Sequence, residues 1–191
     1  PLRPSRFIQN LSFAWDWQLS GGKEWSFHLT NNLLHALNTS LFFIILGIVA
    51  PVGLATRVLA GLIFFFHPLQ VEAVSYIMGR TELLKTAATL ACLLLYLAPK
   101  RRPLAIYLLL VTSIAIKETC VLTPLLFVAV DLTVRRMRMR ELRWKEHLFY
   151  LSHVLWVIPL SPILNILGTH SGGVGFDLYP RGPYLWSQLH H

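Results

Sequence analysis

Acidic residues are scarce in this chain, nine Asp and Glu against seventeen Lys and Arg among 191 residues, which leaves a formal net charge of +8. They are also scattered. Asp16, Glu24, Glu72, Glu82, Glu118 and Asp177 include no adjacent pair, so a paired-carboxylate base or a carboxylate-built metal site is not evident. Cysteine is sparser still: Cys92 and Cys120 each lie in an apolar stretch, which leaves a disulfide framework unsupported and reads both as packing residues. The sequence has no Walker loop, dinucleotide fingerprint, Cys-x-x-Cys pair or Ser-His-Asp arrangement, so soluble-enzyme chemistry has no foothold. The excess of positive charge comes with no aromatic-basic surface or motif, which argues against nucleic acid as a partner.

What the chain does have is apolar residues, 54% of the total against 14% charged, with a mean hydropathy of +0.55. They come in long blocks rather than the one-sided stripe of a surface helix. This predicts an all-α membrane protein with about four to six transmembrane helices. Residues 1–26 carry Trp15, Trp17 and Trp25 and read as a far-side interfacial loop segment, because indole rings favour the headgroup level. The transmembrane helical domain covers 27–167. Within it, helices are predicted at 27–50, ended by Pro51 and Gly53, at 54–66, stopped or kinked at His67-Pro68, and at 82–98, with 69–78 as an interfacial helix. Blocks 104–116 and 121–130 are each shorter than the ~20 residues of a straight span. They form either thin spanning helices or one re-entrant hairpin buried in protein. A last helix is predicted at 147–167, followed by a polar far-side tail at 168–191 that reads as truncated; the opening on Pro1 likewise reads as a piece of a longer product.

Basic residues set the orientation. With the first helix running inward, Arg57, Lys100 to Arg102, and Arg135, Arg136, Arg138, Arg140, Arg143 and Lys145 all fall on the cytoplasmic side. The membrane is then a bacterial inner membrane or the endoplasmic reticulum. The run from Arg135 to Lys145 reads as a topology anchor touching anionic headgroups, with Asp131 as an i,i+4 partner for Arg135. Chemistry is expected on the opposite face.

Two groups of polar residues stand out. In the first helix His28, Asn31 or Asn32, His35 and Asn38 share one face, which must meet other helices or a wet cavity. Interhelical hydrogen bonds are the simplest account. Two His without a nearby Cys or carboxylate underfill a metal sphere, so no metal site is assigned. In the stretch from His67 to Glu82, a helix would align Glu72 and Tyr76 with Arg80 close by. Two readings of that face stay open: an arginine fork held ready for a phosphodiester, or an internal Glu72–Arg80 ion pair that fixes the bend after Pro68. Lys117 and Glu118 lie at the tip of an apolar hairpin; Lys117 is a candidate for a lipid phosphate, Glu118 a partner for Lys117 or Arg80, and a solvated turn the plain alternative.

In order, Phe27-His28-Leu29-Thr30-Asn31-Asn32-Leu33-Leu34-His35-Ala36-Leu37-Asn38, Phe66-His67-Pro68 through Glu72-Ala73-Val74 to Gly79-Arg80-Thr81-Glu82-Leu83-Leu84, and Lys117-Glu118 with Pro124 and Asp131 resemble one family. It is the GT-C glycosyltransferases related to protein O-mannosyltransferases, especially the membrane proteins carrying tetratricopeptide repeats, and the likeness is to their middle membrane portion. The resemblance implies transfer of a sugar, often mannose, from a polyprenyl phosphate to a protein hydroxyl. Lipid and other transmembrane subunits are the further partners. Carried over, Arg80 is the first phosphate contact, Glu72 and His67 shape the site, and Lys117 is a weaker contact. On this reading Arg80→Ala abolishes transfer and leaves the protein folded. The family's acidic pair, in the loop upstream of the Arg-Pro pattern that Arg3-Pro4 resembles, is absent, so no catalytic residue is assigned and the chain as written should be inactive alone. No cofactor is assigned to these residues; a divalent metal belongs to the complete enzyme, if to any part of it. The alternative is a non-catalytic structural transmembrane subunit of a larger complex.

Overall fold

A computed structural model of the chain describes residues 6–100 and 102–157, and these are helical with short connections and no strand. The predicted helix at 147–167 lies mostly outside the described residues, as do the tail at 168–191 and the segment 1–5. Helix α1 (Phe7–Ser20) occupies the stretch read as an interfacial loop, and ends where Gly21 turns left-handed at φ 65° and returns its N–H to the Trp17 carbonyl. Helix α2 (Glu24–Val49) has 26 residues, roughly 39 Å of length, and stops before Pro51.

Helix α3 (Leu54–Phe66) breaks at His67-Pro68, where the chain bends by 54° into α4 (Pro68–Ser75). Pro68 has no N–H to lose in the first turn, and the His67 ring accepts a bond from the Leu69 N–H in its place. A short 3-10 turn at Ile77–Gly79 leads into α5 (Arg80–Leu97), stopped by Pro99. Then come α6 (Pro103–Ile114), a 3-10 turn at Glu118–Leu122, α7 (Thr123–Thr133) and α8 (Trp144–Leu151), which runs into a further 3-10 turn. Helix α5 is the axis of the bundle: α2 lies along it, with α6 and α7 also packed against it. Cys92, Tyr96, Ile106, Leu110, Phe127 and Tyr150 close into an apolar core at its C-terminal half.

Length and composition confirm only part of the predicted set of spans. Among the described residues one helix, α2, is long and apolar enough to cross a membrane, or two if the bent α3–α4 pair is one broken span. Helix α5 has spanning length but carries Arg80, Glu82 and Lys85 in its first turns, while α6, α7 and α8 are short.

Outside the apolar core, α1 and α2 distribute their side chains in the reverse of a water-soluble fold. Helix α1 turns Gln9 and Asp16 inward and leaves Trp15 64% exposed. Helix α2 buries Ser26, Asn31, His35 and Asn38 and leaves Leu33 61% exposed. On α4 Leu69 is 80% exposed. In both long-range pairings the polar stripe is the packed one.

Gly79 makes the turn before α5 feasible. A Cβ there would stand 2.4 Å from the Ala73 carbonyl oxygen and 2.9 Å from its carbonyl carbon, backbone atoms of α4 that cannot swing aside. Gly79→Ala is expected to cost about 1–3 kcal/mol through this overlap, seen as a lower midpoint of thermal unfolding in detergent. Gly61→Ala, whose Cβ would meet only a Phe43 ring atom at 3.8 Å, is the control and should leave the midpoint within a degree or two of the parent.

Candidate functional site

Arg80 opens α5 and is completely buried. Its Nε donates to Asn31 Oδ1 at 2.9 Å, Nη1 to Ser12 Oγ at 3.3 Å and Nη2 to the Phe27 carbonyl at 2.9 Å, while Nη2 also pairs with Asp16 Oδ2 at 2.5 Å. The guanidinium lies over the Phe13 ring at 4.5 Å and near the Phe27 ring at 5.8 Å. Asp16 is equally committed, since its Oδ1 accepts from Thr30 at 2.7 Å. Arg80 therefore joins α1, α2 and α5 internally. It forms no ion pair with Glu72, and its guanidinium is directed at partners inside the fold.

The polar face of α2 resolves in favour of Asn31; Asn32 is exposed and donates to the His28 carbonyl, and His28 is half-buried. The buried members each reach a backbone carbonyl of another element. Asn31 donates to the carbonyls of Val74 and Tyr76, His35 Nε2 to that of Phe65 at 2.9 Å, and Asn38 to that of Leu83 at 3.0 Å. The Phe65 and Val74 carbonyls lie where α3 breaks and where α4 ends, positions with no partner inside their own helix, while the Tyr76 carbonyl also accepts from the Gly79 N–H at 2.8 Å. The stripe thus makes the break in the chain energetically tolerable.

The remaining candidates sit at the same end of the bundle but do not converge. Lys117 pairs with Glu82 rather than Glu118, and Glu82 also holds Lys85 at 2.5 Å. Glu118 is exposed and makes no ion pair among the described residues. Glu72, Tyr76, Gly79 and Glu82 line an open cavity of about 380 Å³, so the Lys117–Glu82–Lys85 group borders it. His67 belongs to a different cavity, shared with His35.

A second cluster lies at the opposite end of α5, roughly 24 Å along the axis. Asp131, fully buried on α7, accepts from Tyr96 Oη at 2.7 Å, His147 Nε2 at 3.1 Å and Arg135 Nη1 at 2.7 Å. Arg135 also reaches the Tyr96 carbonyl at 3.3 Å and lies over its ring at 5.0 Å. The i,i+4 spacing gave the Asp131–Arg135 pair; Tyr96 and His147 carry no local signal, beyond being polar groups within or beside apolar helices. Among the described residues no three His, Cys, Asp or Glu side chains are placed to hold a metal ion.

With this geometry in place, comparison with characterised sequences gives the class: the chain resembles the protein O-mannosyl-transferases, though the likeness covers less than half of it. It is 40% identical over 92 residues to protein O-mannosyl-transferase TMTC2 of Homo sapiens, 39% over 90 residues to Tmtc2 of Drosophila melanogaster, and 34% over 90 residues to TMTC3 of Homo sapiens. Those stretches are 48%, 46% and 47% of this chain and only 11%, 9% and 10% of the three relatives, so about a tenth of each relative's length is matched. No family model and no solved structure matches.

Proposed function

We propose that these residues form a membrane-embedded part of a glycosyltransferase that moves a sugar, in keeping with the relatives' name a mannose, from a polyprenyl phosphate to a protein hydroxyl. The observation that carries this is the 40% identity over 92 residues to a protein O-mannosyl-transferase. The exposed leucines and tryptophans around a polar interior fit a bilayer setting, with α2, the α3–α4 pair and α5 crossing, α6 and α7 spanning or re-entering, and the arginine-rich turn cytoplasmic. The relatives named are animal proteins, which favours the endoplasmic reticulum over a bacterial membrane. In this reading the lipid phosphate meets Lys117 and Lys85 beside the cavity that Glu72 and Tyr76 line, as point charges do. Arg80 holds the wall behind it. A base must come from residues outside this chain, because binding without proton removal from the acceptor hydroxyl contributes little to turnover.

One observation favours the other reading, a non-catalytic subunit docked against further transmembrane partners: the strongest cation on the far side, Arg80, is fully used within the fold. The two separate in an assay. The complete gene product, reconstituted in vesicles with a mannosyl polyprenyl phosphate and a protein acceptor, should transfer labelled sugar, and Lys117→Met should reduce the rate at least tenfold while Glu118→Gln leaves it unchanged. No transfer by the complete product, or a rate indifferent to Lys117, overturns the enzyme reading.

A further inference from the structure

The cleft between α2 and α3 holds two adjoining spaces. The lower is an apolar groove of about 440 Å³ lined by residues such as Phe43, Ile44, Gly61 and Leu62, within the ~300–1,000 Å³ range of ligand clefts. The upper, which meets it at Phe65, is a cavity of about 200 Å³ whose polar groups come from Asn32, His35, His67, Gln70 and Ser75. No Lys, Arg, Asp or Glu lines either space.

The hydrogen-bonding state of the upper cavity can be worked out group by group. His35 Nε2 faces a carbonyl, which only accepts, so Nε2 carries the proton; in the neutral ring Nδ1 then has a lone pair, and this buried atom has no partner. His67 Nδ1 accepts from the Leu69 N–H, which puts the proton of a neutral ring on Nε2 as a donor. Asn32 spends its Nδ2 on the His28 carbonyl and keeps Oδ1 free to accept. The wall therefore offers acceptors and a donor side by side, with no formal charge. A hydroxyl, donor and acceptor at once, answers that pattern; a phosphodiester, which has no proton to give and carries a negative charge that no cation here meets, does not.

We propose that the α2–α3 cleft binds a neutral, hydroxyl-bearing amphiphile, its chain along the groove at Gly61 and its hydroxylated head against Asn32, His35 and His67. The site is separate from the Lys117–Glu82 group, and its occupancy does not depend on sugar transfer. Phe65 and Phe66 line the same cavity and supply apolar surface beside the head.

The test uses the complete gene product in lipid nanodiscs and three photoreactive probes of one chain length: an alkyl glucoside, a monoacylglycerol and an alkyl phosphocholine. Labelling is mapped by mass spectrometry to the peptides of α3 and α4. The glucoside or the monoacylglycerol should label these peptides at least fivefold more than the phosphocholine. The stronger of the two identifies a sugar or a glycerol head. Asn32→Ala, an exposed site that leaves the His35 bond intact, should lower the hydroxylated signal about fivefold, the effect of one lost hydrogen bond, and leave the phosphocholine signal unchanged. Gly61→Leu, which fills the groove, should remove the hydroxylated signal. Equal labelling by all three probes, or hydroxylated labelling indifferent to both substitutions, would show a passive lipid belt and overturn the proposal.

Discussion

Asp16→Ala is expected to cost the fold about 3–5 kcal/mol, because it strands a buried guanidinium without its counter-charge. The site explains the size of the effect. Arg80 is 0% exposed, so water cannot replace the lost carboxylate, and its remaining partners, Asn31, Ser12 and the Phe27 carbonyl, are neutral. Asp16→Asn, which keeps the shape and an acceptor, should cost less than Asp16→Ala. Arg80→Ala should be comparable to Asp16→Ala, since it leaves Asp16 buried and unpaired, and the paired removal Asp16→Ala with Arg80→Ala should cost less than the two singles added together. Glu72→Gln, on the exposed side of α4, should stay within about 0.5 kcal/mol of the parent. The measurement is unfolding of the purified protein in detergent, followed by tryptophan fluorescence with a ligand-free sample. Parity between Asp16→Ala and Glu72→Gln would mean that Arg80 does not depend on α1, and the structural reading of Arg80 would fail. The same measurement on Arg80→Ala checks the expectation drawn from the resemblance, that this substitution removes activity and leaves the fold intact.

The helix boundaries were legible because prolines and glycines punctuate the apolar blocks. Leu54–Phe66 emerges as predicted, and 82–98 appears two residues early as Arg80–Leu97. The polar face of α2 was legible as a face, since a helical period puts residues 31, 35 and 38 together whatever they touch. What they touch was not. Asn31 meets carbonyls 43 and 45 residues away, and nothing in local spacing encodes that. Arg80 shows the same limit more sharply: Glu72 was its nearest acid in sequence on the supposed helix, but the chain leaves helical geometry at Tyr76, and the carboxylate that reaches it lies in α1, 64 positions earlier by residue number (80 − 16). Lys117 finds Glu82 over Glu118 because its backbone is extended ahead of the 3-10 turn that Glu118 opens, and successive side chains of an extended segment point to opposite sides. Of the predicted spans, α2 and the bent α3–α4 pair have the length and apolarity of a crossing among the described residues, while α6 and α7 are apolar but short and α5 is long enough but opens on three ionisable residues.

The second large effect is expected at Asp131, and its pattern of partners makes a ranking rather than a single number. Asp131→Ala removes the acceptor of Tyr96, His147 and Arg135 together, and because the carboxylate is fully buried the cost should reach about 3–5 kcal/mol. Arg135 is 27% exposed at its side chain, so Arg135→Ala removes a cation that water already reaches and leaves Asp131 still held by two donors; about 1 kcal/mol is expected. Tyr96→Phe removes one neutral donor while the ring keeps its stack on Phe127 at 4.4 Å, and should cost about 0.5–1.5 kcal/mol. Thermal unfolding of the three variants should therefore place Asp131→Ala well below the other two, which lie close together. If Arg135→Ala were instead as damaging as Asp131→Ala, the ion pair and not the three-way hub would hold this end of the bundle, and the arginine-rich turn after α7 would be fixed by charge alone. The ranking also bears on the bilayer reading. A carboxylate sealed among helices 16 residues along α5 from Arg80 (96 − 80, taken at Tyr96) gives the bundle a polar anchor at each end, and each anchor joins elements that hydrophobic contact cannot hold together in lipid.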